Sequence, residues 1–194
     1  MRLVLGLGNP GARYAATRHN VAWRVLDLLA RRWDASPGES DPSYHARVAR
    51  PGGRQVTLLE PLTWMNLSGT AVDAWRRTHG EPEDLLVVSD DVYLPLGMLR
   101  LRARGSSGGH RGLDDIENVL GHREYARLRI GVGAVEDSSK LREHVLEEFA
   151  PEESPALDEA VRLAADAVEC WVIDGILIAM NRFNRKVRKE VSES

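Results

Sequence analysis

Residues 3–20, LVLGLGNPGARYAATRHN, carry the reading on which the fold turns. Leu3 to Leu7 is an apolar run that reads as a buried strand, and Gly6, Gly8 and Gly11 fall at the G-x-G-x-x-G spacing that cradles a dinucleotide pyrophosphate in many proteins. Beyond them Val21, Val25, Leu28 and Leu29 recur at helical spacing, so the chain opens strand, loop, helix. The dinucleotide reading fails on context. It requires the helix to start within the glycines and an acid at the end of a second strand about 20 residues on. Here RYAATRHN intervenes, and Asp27 falls inside an amphipathic helix. The glycines then either turn a strand end or frame a different chemistry carried by Asn9 and His19-Asn20.

The same alternation continues down the chain. Tyr44 to Ala49 and Arg54 to Leu59 read as paired strands joined through Arg50-Pro51-Gly52-Gly53, and an amphipathic helix is expected around Thr70 to Thr78. Leu85 to Ser89 suits a central strand that runs out onto Asp90-Asp91. Met98 to Arg104 alternates strictly, with Leu99, Leu101 and Ala103 on one face and Arg100, Arg102 and Arg104 on the other. A helix near Leu113 to Leu120, a strand from Tyr125 to Val132, and a long helix from a Ser154-Pro155 start to about Met180 complete the pattern. Strands alternating with helices, plus one hairpin, predict an α/β fold: a single-domain mixed twisted β-sheet covered by helices over residues 1–184, with 185–194 a charged tail.

Composition narrows the class. The 194 residues are 43% hydrophobic, enough for one substantial core, and no apolar stretch reaches the length of a membrane span, so no membrane partner and a cytoplasmic location are expected. The single Cys170 forms no internal disulfide and is assigned to packing. Net charge is −3 but unevenly spread. Gly97 to Gly133 holds seven arginines against four acids, whereas Ala134 to Met180 holds three bases against twelve acids.

Several polar segments fall where these strands end: Asn9, Asn66, Asp90-Asp91 and the Gly108-Gly109-His110-Arg111-Gly112 turn, with His19-Asn20 just before the first helix. In open α/β sheets such ends converge on a ligand crevice. A histidine can take a proton from water, and a carboxylate on its other ring nitrogen fixes the tautomer and favours the imidazolium. His19 with Asp90 fits that pairing, and the amides of Asn9 and Asn66 suit a carbonyl, its oxyanion or the attacking water. The competing readings are local: His19 pre-positions a helix, and Asp90-Asp91 is a solvated strand end. A serine-esterase reading attaches to Gly105-Ser106-Ser107-Gly108-Gly109, which matches G-x-S-x-G. It is disfavoured because the preceding strand is half basic instead of fully buried. His45, His79, His122 and His144 show no metal-ligand spacing, and no metal is expected.

Taken in order, GLGNPG-x-x-Y-x-x-TRHN, PLTWMNLSG, VVSDD-x-x-LPLG, RLRARGSSGGHRGL and RLRIGVG resemble the bacterial-type peptidyl-tRNA hydrolase family over nearly the whole chain to about Asn184. The resemblance implies a monomeric, cofactor-free α/β enzyme whose partner is peptidyl-tRNA and whose reaction is hydrolysis of the ester joining peptide to terminal ribose. It implies that His19 is the catalytic histidine, Asp90 its carboxylate partner, and Asn9 and Asn66 its asparagines. Tyr14, Asn20 and Met65 fall in the substrate-binding set, and Arg100, Arg102 and Arg129 stand at basic positions for tRNA phosphates. Two residues depart from the family pattern. Arg111 replaces an asparagine, which sets a fixed cation where an amide is usual, and Tyr93 replaces an acid. Arg111 also keeps open a reading from another class, a non-catalytic RNA-binding relative.

Overall fold

The computed structural model describes residues 1–184 except Glu136; the charged-tail expectation lies outside the described residues. Seven strands form one sheet in the order β2-β3-β4-β1-β5-β7-β6. They are β1 (Arg2–Gly6), β2 (Ser36–Asp41), β3 (Tyr44–Ala49), β4 (Val56–Pro61), β5 (Asp84–Asp91), β6 (Leu99–Arg102) and β7 (Ala126–Gly131). The four central strands, β4, β1, β5 and β7, run parallel. The edges are antiparallel: β3 and β2 beyond β4, and β6 beyond β7.

Strand alternation sends successive residues to opposite faces, and helices cover both. Val4, Leu58, Val88 and Leu128 face α1 (Val21–Arg32), α5 (Ser154–Asp174) and α6 (Ile176–Phe183). Leu3, Leu5, Leu59 and Val87 face α2 (Ser68–His79) and α3 (Arg111–Leu120), where Trp75, Leu113 and Ile116 fill the core. A short α4 (Leu141–His144) lies outside these layers, and the chain around it supplies one wall of a crevice at the carboxyl end of the sheet.

Three expectations change. Ser36–Asp41 is an edge strand that its Pro37 and Gly38 hid. The long helix is two, broken at Gly175, whose φ of 87° suits a glycine and starts α6 in a new direction. Ser154 does not cap α5 but is its first residue; the preceding turn is closed by Glu153, whose carboxylate accepts from the Ala150 N–H at 2.8 Å.

The opening glycines serve packing. A Cβ on Gly6 would stand 2.9 Å from Leu26, and one on Gly8 would stand 2.6 Å from Trp23 Nε1. Their absence lets α1 close onto β1, and Trp23 Nε1 donates to Gly6 O at 3.0 Å. Gly6 and Gly8 are therefore spent on helix-to-strand contact, Gly11 turns the chain at a φ of 104°, and α1 begins ten positions after it.

Candidate active site

The carboxyl ends of β1, β4, β5 and β7 open onto a cavity of about 640 Å³. Asp90, the penultimate residue of β5, lines this cavity and is 1% exposed. Its Oδ1 is shared by two imidazoles, His19 Nδ1 at 2.7 Å and His110 Nε2 at 2.9 Å. The tautomer of His110 follows from its place at the N-cap of α3. Nδ1 accepts from the backbone N–H of Gly112 at 3.2 Å and of Leu113 at 3.4 Å, so the proton sits on Nε2 and donates to Asp90. Burial by itself would raise the Asp90 carboxyl, but the two imidazoles and the hydrogen bonds they donate hold it below the usual carboxylate range.

His19 lies in the 3₁₀ turn Arg18–Asn20 that leads into α1. Its N–H donates to Val145 O at 2.9 Å, and its neighbour Arg18 is buried, paired with Glu153 at 2.7 Å and bonded to Val132 O at 2.8 Å. These bonds fix the turn from beneath. With Nδ1 on Asp90, Nε2 is left for the cavity, and the imidazole side chain is 14% exposed. That is the arrangement of a base with an orienting carboxylate. His19, Asp90 and His110 are also the set of metal-ligand side chains among the described residues whose ligand atoms lie within 4.8 Å of one another. Both imidazoles already donate to one oxygen, so a cation there would have to displace both hydrogen bonds.

Asn9 and Met65 also line the cavity. Asn9 Oδ1 accepts from the Met65 N–H at 2.9 Å, which turns the Asn9 amide so that its NH₂ is the group left for a ligand. Asn66, next in the turn Met65–Leu67, is exposed and lines the cavity. Tyr14 lines it too, with Trp64 edge-on at 5.7 Å between ring centroids.

Asn20 is corrected. It is fully buried, and its side chain holds the backbone of Asn9 reciprocally: Asn9 N–H donates to Oδ1 and Nδ2 donates to Asn9 O, each at 2.9 Å. It positions Asn9 and does not face the crevice. Asn20→Ala leaves two buried backbone groups without partners, which should cost about 1–3 kcal/mol. Denaturant titration measures this, and a change below about 0.5 kcal/mol, the range of an ordinary surface substitution, would contradict it.

The basic residues divide. Arg129 lines the cavity but is engaged, with one nitrogen on Asp91 Oδ2 at 3.1 Å and another bonded to Ser106 O and Ser107 O. Arg100 and Arg102 lie on the exposed face of β6, outside the cavity. Arg100 stands opposite Arg129 in the ladder, so the basic face begins where the crevice wall ends. Arg111, the first residue of α3, is exposed and lines the cavity.

Sequence reasoning assigned no role to His110. Its position in the GGHRG turn before a helix was visible, but the contact with Asp90 arises because the turn after β6 folds back over β5. Ser107 is not arranged as a nucleophile: it is buried, its Oγ accepts from Gly109 N–H at 3.2 Å, and the nearby His110 has both nitrogens committed.

A buried carboxylate under two imidazoles, one with a nitrogen left for the cavity, beside amides at the ends of a parallel sheet, is the kind of site a hydrolase of α/β architecture carries. Residues 3–191 match the family model described as Peptidyl-tRNA hydrolase, and the chain belongs to that family. It is 45% identical over 186 residues to the peptidyl-tRNA hydrolase of Symbiobacterium thermophilum, covering 94% of this chain and 98% of the relative. Identity to that of Chlorobium phaeobacteroides is 42% over 187 residues, covering 96% and 99%. The crystal structure of the Acinetobacter baumannii peptidyl-tRNA hydrolase superposes with a TM-score of 0.87 at 33% identity, covering 95% of this chain and 94% of that one.

Proposed function

We propose that this enzyme hydrolyses the ester between a peptide and the terminal ribose of tRNA, in the cytoplasm and as a monomer, returning tRNA from prematurely released peptidyl-tRNA. The observation that carries the mechanism is His19 on buried Asp90 with Nε2 left for the cavity. Nε2 takes a proton from water as the water oxygen attacks the ester carbonyl. The imidazolium is stabilised by Asp90, which His110 holds from the other side. The Asn9 NH₂ and the Asn66 amide hydrogen-bond the carbonyl oxygen as it becomes an oxyanion. When the tetrahedral intermediate collapses, its C–O bond to the ribose breaks and the His19 proton passes to the departing ribose oxygen, giving a free terminal hydroxyl and a peptide carboxylic acid that loses its remaining proton to solvent.

The tRNA acceptor arm lies along β6, where Arg100 and Arg102 are exposed and meet its phosphates. The test is release of labelled peptide from N-blocked aminoacyl-tRNA by the purified protein; binding of RNA with the ester left intact would overturn the hydrolase reading in favour of an RNA-binding one. Replacing both Arg100 and Arg102 by alanine should raise KM and flatten its dependence on salt, with the log–log slope falling by about 1–2. An unchanged slope would remove β6 from the tRNA path.

No helix of the described residues is long and apolar enough to cross a membrane.

A further inference from the structure

The charges lining the cavity do not balance. Its two carboxylates are spent: Asp90 on the two imidazoles, and Asp91 on Arg129 and on the Tyr93 N–H at 2.8 Å. Arg129 is thereby matched. Arg13, Arg111 and Arg142 also line the cavity, and among the described residues none of the three has a carboxylate partner. Arg13 lies over the Tyr14 ring, 4.5 Å from its centroid, and Arg142 belongs to the short α4.

Arg111 is placed most firmly. It sits between His110, whose imidazole is on Asp90, and Gly112, where a Cβ would stand 2.6 Å from Met65 Sδ. The backbone of Arg111 is therefore fixed one residue from the reacting centre. His110 occupies the Gly112 and Leu113 N–H groups, so the N-terminus of α3 offers an anion little besides this guanidinium. Its location also sets it apart from the arginines of β6. Gly112 packs against Met65, whose chain neighbours Trp64 and Asn66 also line the cavity, whereas the exposed arginines of β6 lie beyond β7 at the edge of the sheet.

We infer that Arg111 makes the enzyme selective for peptides bearing a carboxylate side chain next to the esterified residue. This rests on the hydrolase reading under Proposed function and names a substrate class within it. A guanidinium pairs with a carboxylate through two parallel N–H···O bonds, and in a cavity walled by Trp64, Met65 and Tyr14 that pair is less screened than at an open surface. An amide isostere offers that fork a single acceptor oxygen and no opposite charge.

The experiment compares two N-acetyl-dipeptidyl-tRNAs built on the same tRNA and the same esterified amino acid, with Glu or Gln as the preceding residue. The unsubstituted protein should favour the Glu substrate by about tenfold in kcat/KM. Arg111→Asn should bring that ratio to near one, and Arg111→Lys should retain part of it. A ratio near one in the unsubstituted protein, or a preference that survives Arg111→Asn, overturns the inference. A loss in Arg111→Asn that is equal for both substrates and flattens the salt dependence assigns the guanidinium to a tRNA phosphate and also overturns it. Failure to release peptide from either substrate is a different result, striking the hydrolase reading itself.

Discussion

Replacing His19 by alanine is expected to lower kcat for peptide release by about 10²–10⁴-fold while leaving RNA affinity nearly unchanged. The size follows from what the imidazole does. Its Nε2 is the ring nitrogen left for the cavity, and the other cavity-lining imidazole, His110, has one nitrogen on Asp90 and the other on two backbone N–H groups. No second base is placed to take over among the described residues. The scaffold should survive the change, because the His19 N–H remains on Val145 O and Arg18 still ties the turn to Glu153 and Val132. RNA affinity should survive as well, since the exposed arginines of β6 lie outside the cavity. Steady-state release kinetics and an RNA-binding titration on the same preparation test both halves. Turnover within tenfold of the unsubstituted enzyme would remove His19 from the base role.

Much of this site is legible in the sequence because strand ends are legible. The run Leu85 to Ser89 marks a buried parallel strand, and the residues just past the carboxyl end of such a strand face the crevice, so pattern and position together single out Asp90. His19 stands out because it lies between the strand and helix of one connection. Asn20 shows the limit. It is adjacent to His19, yet successive residues of a 3₁₀ turn point about 120° apart, so one side chain meets the cavity and the next is buried against the Asn9 backbone. Arg129 shows another: the family resemblance marks it as a cation for phosphates, but its pairing with Asp91 depends on the alignment of β5 with β7. The break at Gly175 is hidden because the residues on both sides keep helical periodicity, and a pattern of apolar positions does not register a change of axis.

Asp90→Asn is the second large effect, expected to lower kcat by about 10²–10⁴-fold with a distinct pH signature. One carboxylate oxygen accepts from both imidazoles. An amide oxygen in its place accepts as a dipole and brings no charge to stabilise the imidazolium that forms when water is deprotonated. If the amide turns over, its NH₂ meets two N–H donors and the His19 orientation is lost. Stability should separate the two proteins by pH. The folded Asp90 carboxyl is held below its unfolded value of about 3.9, so its ionised form contributes stability above that pH. The contribution is lost as pH falls through the lower folded value, because the unfolded chain takes up the proton first. The variant has no such titration. The stability difference between the two proteins should therefore shift against the unsubstituted protein as pH falls below about 4. Denaturant titrations at a series of pH values measure this. A difference that stays flat through the acid range would show that the two imidazoles do not hold the Asp90 charge, and it would take the orienting role from that carboxylate.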